Sequence, residues 1–301
     1  MLVAQCSLSG AISIVGYDPT VNDRFANDSS FLLTSSDSAF LSGVGIADTG
    51  QSSFTGDDGG RWVTMISSNV FLSAQHFSPM NGSSVKFYET NDLAGGQVTR
   101  TVQSSQRIGS SDIRIGVLDT PLPETYRSFN FVTEDIFTVG DFVSSNIFEE
   151  TGILFGRSPT AYSDLSQEMS LGSNILDRWG ESVSAAGTTD VALAAALNSP
   201  TNPDTGEPDP NFVSSEAFLQ TGDSGGPLMV IAGGELTIVG INWFISNAVG
   251  NELSGFSYVG NYDVEIQEYI DANAVPEVAA ASFLTGLSVV LSYGFRRRRR
   301  A

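Results

Sequence analysis

The sequence contains one cysteine, one histidine and few basic residues outside its final stretch. A single cysteine, Cys6, cannot form an internal disulfide, and a zinc site built from cysteine and histidine lacks ligands. Lys and Arg number 14 against 34 acidic residues, and five of the 14 lie at positions 296–300. The rest of the chain therefore carries a charge of about −25, which repels phosphate backbones and argues against nucleic-acid binding. We interpret this acidity as a solvated, self-repelling surface that keeps the protein soluble.

Long apolar segments with helical spacing are also scarce before the C-terminus. Short apolar runs recur between clusters of Gly, Ser, Asn and Asp, a pattern that favours an all-β body. The exception is residues 262–272, where Tyr262, Ile266, Tyr269 and Ile270 share one helical face. This spacing predicts a short α-helix that closes the domain.

The C-terminus has the one long apolar stretch. Residues 278–295 carry no charge, and five arginines follow at once. As a helix, eighteen residues are roughly 27 Å long, close to the hydrocarbon thickness of a bilayer. The segment therefore predicts one transmembrane helix, with the arginines on the cytoplasmic side and the preceding chain outside the cell. The alternative is a helix buried in the core.

The residues around this span resemble a known sorting signal. Pro276 and Glu277 precede the apolar stretch and the arginine cluster, an arrangement similar to the PEP-CTERM signal of bacterial envelope proteins. Val278 stands where that signal usually has a second proline. The resemblance implies export, an exosortase-type partner, and either membrane anchoring or release after processing. We expect an N-terminal segment over residues 1–34, holding a truncated signal or pro region, a main domain over 35–272 and the sorting segment over 273–301.

The sequence TGDSGGP at residues 221–227 is the strongest local motif, and the apolar run LMVIA follows it. A serine hydroxyl is a poor nucleophile, so it requires a nearby base and donors that stabilise an oxyanion. Glycines on both sides of the Asp-Ser pair permit a tight turn that points the N–H groups of Gly222 and Ser224 at one oxygen. Ser224 is therefore the candidate nucleophile, and the alternative is a glycine-rich turn with an incidental serine.

The single histidine of the sequence, His76, is the candidate base and lies in the segment NVFLSAQHF. Together with the motif at Ser224, the segment RWVTMISSNVFLSAQHF resembles the chymotrypsin family of serine proteases. In that family two strands and a turn deliver the catalytic histidine. Phe77 stands where the family has cysteine, which agrees with a chain without disulfides, and Gln75 is a second departure.

The resemblance implies the third catalytic residue. The segment SSDIRIGVLDTPLP matches the family pattern with Asp112 as the carboxylate that orients the imidazole. Asp119 is the competing carboxylate, which we interpret as a cap because it follows the strand in a turn. The order His76, Asp112, Ser224 is the chymotrypsin order.

The same resemblance implies a fold and an activity. We expect two six-stranded Greek-key β-barrels, and a secreted serine endopeptidase that cleaves protein or peptide substrates through an acyl-enzyme on Ser224. No metal or organic cofactor is expected.

Substrate preference is only partly indicated. Relatives that cleave after Lys or Arg carry an acid six residues before the nucleophile, where this chain has Phe218, so we do not expect specificity for basic side chains. Trp243, Phe244 and Ile245 lie in a segment similar to the substrate-binding strand of the family and suggest an apolar or restricted pocket. The residues Ile14, Val15 and Gly16 resemble the N-terminus that activation frees in many relatives, but no basic residue lies just upstream as a processing site.

Two other classes of function remain open. The chain could be a catalytically inactive, protease-like binding or adhesion module of the cell envelope, although all three catalytic residue types are present. It could also be a structural envelope protein that binds Ca²⁺ through Asp57 and Asp58, although the sequence DDGG is more often simply a turn.

Overall fold

The computed structural model describes residues 10–33, 40–47, 60–160, 169–202, 205–248 and 251–274. Asp57, Asp58, the predicted transmembrane helix and residues 275–301 of the predicted sorting segment lie outside these ranges, so those expectations stay predictions. Within the described ranges, no helix is long and apolar enough to cross a bilayer. The described chain is mostly β, with a short helix at its end, as the sequence predicts.

The first half of the chain forms a closed six-stranded barrel. Around the barrel the strands follow the order β2-β3-β4-β7-β6-β5, and all neighbours are antiparallel. The bounds are β2 Val44–Ala47, β3 Arg61–Met65, β4 Val70–Ala74, β5 Ser84–Tyr88, β6 Gln97–Arg107 and β7 Ile113–Leu118. Trp62, Phe71 and Phe87 are fully buried here, so apolar packing supplies the stability that a disulfide often supplies in secreted domains.

The second half forms a curved sheet of eight strands that does not close. Its path is β10-β9-β14-β15-β16-β12-β11, and β8 pairs in parallel with β15. The bounds are β8 Asn130–Phe131, β9 Thr151–Gly156, β10 Ser170–Ile175, β11 Arg178–Ala185, β12 Thr188–Ala196, β14 Pro227–Ala232, β15 Glu235–Ala248 and β16 Asn251–Tyr258.

The prediction of a second closed six-stranded barrel is therefore wrong in its detail. The two end strands, β10 and β11, do not pair with each other. Single bridges from Asp23 and Glu216 contact β10 instead, at Ser170 and Ser173. These bridges occupy part of the strand edge that a closing strand would use, which leaves a half-barrel.

The N-terminal segment packs into the body of the protein. Strand β1 (Ser13–Ile14) pairs with β13 (Ala217–Phe218), the strand just before the Ser224 turn. Helix α1 (Pro19–Asn22) follows, with the Asp18 side chain accepting the Thr20 N–H at its N-terminus. Ile12, Ile14 and Phe25 are buried in the apolar clusters of the two sheets.

Two further helices complete the fold. Helix α2 (Val139–Ser144) begins with a capping box between Thr138 and Asp141, in the connection between β8 and β9. Helix α3 (Asp263–Asn273) confirms the predicted C-terminal helix. Ile266 is fully buried, and the other three residues of the predicted face pack against the core: Tyr262, Tyr269 and Ile270.

A buried carboxylate anchors the long connection between β12 and β13. Glu216 accepts hydrogen bonds from the main chain of Asn198 at 2.9 Å and of Val213 at 3.1 Å. Its side chain thus joins the two ends of that connection. Burial is the main reason that the pKa of Glu216 rises from an ordinary 4.5 to about 7, and nearby Asp209 acts in the same direction.

This pKa shift predicts a stability change between about pH 4.5 and pH 7. A carboxyl whose pKa is higher in the folded state holds its proton more tightly there, so its contribution is complete below the unfolded pKa and is lost as pH rises through the folded value. We expect Glu216→Gln to reduce the fall in unfolding free energy between pH 5 and pH 7.5 by about 1 kcal/mol or more. Urea unfolding at both pH values measures this, with exposed Glu207→Gln as the matched control; equal pH dependence in wild type and Glu216→Gln would contradict it.

Candidate active site

The turns after β4 and before β7 bring His76 and Asp112 together. In the antiparallel pairing of these strands, Ala74 lies opposite Ile113. The pairing continues one step further, because the Gln75 N–H donates to the Asp112 carbonyl at 2.8 Å. His76 therefore follows β4 at the same edge of the barrel where Asp112 precedes β7, and the backbone register sets their proximity.

Asp112 holds His76 through both of its carboxylate oxygens. His76 Nδ1 lies 2.6 Å from Asp112 Oδ2, and the His76 main-chain N–H donates to Asp112 Oδ1 at 3.2 Å. Asp112 is fully buried, and His76 is 8% exposed. Burial raises the pKa of the Asp112 carboxyl, and the hydrogen bonds and charge of His76 act against that rise. Because the carboxylate binds Nδ1, Nε2 is the ring nitrogen of His76 through which a proton would be exchanged with a reacting group.

Ser224 lies in the turn between β13 and β14. Gly222 has φ of 101° and Gly225 has φ of 86°, conformations that favour glycine at both positions. A Cβ on Gly225 would lie 3.1 Å from Ser73 Oγ and 3.2 Å from the Ala74 nitrogen. The absence of a side chain thus lets the turn pack directly against the end of β4, which brings Ser224 close to the His76 turn.

The Asp223 carboxylate fixes this turn to the second sheet. Asp223 Oδ1 accepts the Arg157 N–H at 2.8 Å, and Oδ2 accepts the Gln220 N–H at 2.8 Å. The Asp223 carbonyl also accepts from Asn242 Nδ2 at 2.9 Å. Ile14, which resembles the terminus that activation frees in relatives, lies within the paired strand β1. Main-chain donors therefore already hold both oxygens of the carboxylate.

A cleft of about 320 Å³ opens beside Ser224. None of the residues that line it is Asp, Glu, Lys or Arg, so its walls are largely apolar. The lining residues are His76, Ala185, Ala186, Leu219, Gln220, Thr221, Gly222, Ser224, Asn242, Trp243, Phe244 and Ile245. Within the described part of the chain, neither the N–H of Gly222 nor that of Ser224 donates to a protein acceptor.

A bulge in β15 shapes one wall of the cleft. The pairing with β16 skips Trp243, because Asn242 lies opposite Phe256 and Phe244 lies opposite Gly255. Trp243 Nε1 donates to the Ala185 carbonyl at 3.2 Å. The Phe244 ring lies so close over Gly255 that a Cβ there would be 2.2 Å from it.

Most of the residues predicted from the sequence meet at this cleft. His76, Gly222, Ser224, Trp243, Phe244 and Ile245 all line it, and Asp112 lies behind His76. Asp119 is exposed and accepts the Thr101 N–H, which agrees with a cap.

Phe218 lies outside the lining of the cleft. It is 5% exposed and pairs with Ser13, so the next two residues, Leu219 and Gln220, form this part of the wall. Sequence reasoning missed Ala185 and Ala186, because nothing in a hairpin sequence says which distant strand its tip contacts. Among the described residues, no group of three or more His, Cys, Asp or Glu could hold a metal ion.

Comparisons with known proteins support the fold. No family model matches the chain, and no curated protein sequence matches it. A solved structure described as a scabies mite inactivated protease paralogue superimposes with a TM-score of 0.51 at 16% identity. The match covers 80% of this chain and 99% of that one. The chain therefore shares the chymotrypsin-like protease fold, and at this identity the likeness concerns the fold alone.

The two main-chain hydrogen bonds to the Asp223 carboxylate predict that its substitution lowers the free energy of unfolding. Asp223→Asn replaces one acceptor oxygen by an NH₂ group facing a main-chain N–H, so we expect a loss of about 1–3 kcal/mol in unfolding free energy. Asp119→Asn, at an exposed carboxylate that also accepts a main-chain N–H, is the matched control and should change it by about 0.5 kcal/mol or less. Urea unfolding of both variants measures the difference, and equal effects would contradict the role given to Asp223.

Proposed function

We propose that the protein is a serine endopeptidase with Ser224 as nucleophile, His76 as general base and then acid, and Asp112 as the carboxylate that orients His76. The observation that carries the proposal is the 2.6 Å contact between His76 Nδ1 and Asp112 beside a cleft that His76 and Ser224 both line. The chain order of the three residues agrees with the shared fold.

The chemistry proceeds through an acyl-enzyme. Ser224 Oγ attacks the carbonyl carbon of the scissile bond while His76 Nε2 accepts its proton. His76 then passes that proton to the departing amine. Water next attacks the ester on Ser224 while His76 accepts a proton from it, and His76 returns this proton to Ser224 Oγ as the acid product leaves. Asp112 stays ionised and stabilises the imidazolium through the Nδ1 hydrogen bond.

The N–H groups of Gly222 and Ser224 are the candidate oxyanion donors. Both residues line the cleft, and neither N–H is used within the described chain. Donors that are already in place stabilise the charge that develops on the carbonyl oxygen without having to reorganise. The hydrogen bonds of Asp223, between these two residues, support a fixed turn.

The triad assignment predicts a collapse of turnover on substitution. We expect Ser224→Ala, His76→Ala and Asp112→Asn each to lower kcat on a fluorescent casein by roughly 10³-fold or more, because the three groups act as a unit. Asp119→Asn should retain activity. Turnover that survives Ser224→Ala at the wild-type level would overturn the assignment.

The apolar cleft predicts the preference at the residue before the scissile bond. No charged residue lines the cleft, so a Lys or Arg side chain would lose water there without a carboxylate partner. On a fluorogenic peptide panel we expect kcat/KM for small or apolar residues to exceed that for Lys and Arg by at least about tenfold. A preference for Lys or Arg would contradict this.

An inactive binding or adhesion module is the second candidate. The observation that favours it is the fold likeness to a protein described as an inactivated protease paralogue. A serine-directed phosphonate distinguishes the two. Labelling that Ser224→Ala abolishes supports an enzyme, whereas a folded protein that neither turns over casein nor reacts favours the binding module.

We also propose that the protein is exported to the cell envelope. The support is the sequence of residues 276–300, with Pro-Glu, an uncharged stretch and five arginines. An exosortase-type machinery would then be a partner. The acidic composition fits an extracellular protein, and it supports the expectation that nucleic acid is not a partner.

A further inference from the structure

The hairpin of β11 and β12, at one end of the second sheet, contributes a wall of the cleft. Ala186 and Gly187 form its turn with φ of 49° and 77°, the signature of a tight two-residue hairpin turn. Ala185 and Ala186 line the cleft, and the Ala185 carbonyl accepts from Trp243. A peptide paired along β15 would therefore pass this tip.

Arg107 joins this hairpin to the first barrel. It lies at the end of β6, and its Nε donates to the Ser111 carbonyl at 2.6 Å, one residue before Asp112. Its Nη2 donates to the Ser110 carbonyl and, at 3.0 Å, to Thr188 Oγ1. Thr188 is opposite Ala185 in the hairpin, so the guanidinium contacts the base of the turn.

The charge of Arg107 acts on a carboxyl in each half of the protein. Burial raises the pKa of Asp112 and also that of Asp190 on β12, and the positive charge of Arg107 lowers both. Asp190 is also bound by Tyr262, whose hydroxyl donates to Oδ1 at 2.7 Å. The contacts of the guanidinium thus lie between the loop of the catalytic acid and the substrate-facing hairpin.

We propose that Arg107 is a positioning residue that fixes the β11–β12 hairpin, through Thr188, relative to the loop that carries Asp112. A planar guanidinium can span carbonyls on one side and a hydroxyl on the other, which the point charge of a lysine cannot. The consequence for catalysis rests on the proposed function, whereas the structural coupling does not.

Four variants separate the effect of the positive charge of Arg107 from that of its hydrogen bonds to the hairpin. Arg107→Gln removes the charge and the bridge, Arg107→Lys keeps the charge alone, and Thr188→Val removes only the contact with the hairpin. Arg100→Gln is the matched control, because Arg100 lies on the same strand and donates to carbonyls without contacting the hairpin.

The first readout is hydrogen exchange of residues 178–196 in the full-length protein, which requires no turnover. We expect exchange near residues 184–188 to rise about tenfold in Arg107→Gln, Arg107→Lys and Thr188→Val, as for the loss of a charged hydrogen bond, and to stay unchanged in Arg100→Gln. Wild-type exchange in both Arg107→Gln and Thr188→Val would overturn the proposal. Thr188→Val decides the matter if Arg107→Gln does not fold.

The second readout compares kcat and KM for p-nitrophenyl acetate with those for a peptide that has four residues before the scissile bond. We expect Thr188→Val and Arg107→Lys to raise KM for the peptide several-fold with kcat within about twofold, since only the peptide reaches the hairpin. An equal loss on both substrates would overturn the positioning role. An inactive wild type that resists the phosphonate would refute the proposed function, while the exchange result would still decide the coupling.

Discussion

The buried carboxylate of Asp112 is the interaction on which the arrangement of the site depends. Its two oxygens bind the ring and the main chain of His76, so one residue sets both the orientation of the imidazole and the path of the turn that carries it. Burial without a partner would be costly for a charged group. The position of the only histidine is thus tied to the register of β4 and β7, which the barrel fixes.

The turn that carries Ser224 is held by a second, independent carboxylate. Asp223 accepts main-chain hydrogen bonds from Arg157, just after β9, and from Gln220 in its own turn, and so attaches the Ser224 turn to the second sheet. Gly225 then allows that turn to approach the end of β4 without a side chain between them. The site is therefore assembled at the contact between two sheets, each of which carries its own buried acid.

The absence of disulfides places a larger demand on packing and polar contacts. One apolar cluster combines residues from the N-terminal segment, both sheets and α3, so the two halves share part of their core, and each half also has a cluster of its own. Arg107 adds a polar connection between the Asp112 loop and β12. Ile12 and Ile14 pack with Ala217 and Leu219 in the cluster of the second half, which gives a physical reason why the N-terminal strand pairs with the strand that precedes Ser224.

The sequence by itself determined the β character, the C-terminal helix and the candidate triad, because each depends on local periodicity or on a short motif whose chemistry requires particular residues. The position of Asp112 behind His76 followed from a resemblance and agrees with the geometry. Only the tertiary structure decided that the second sheet stays open, that Phe218 lies outside the lining of the cleft, and that the bulge at Trp243 meets the hairpin at Ala185. These features depend on strand register and on contacts between distant segments, which no local pattern encodes.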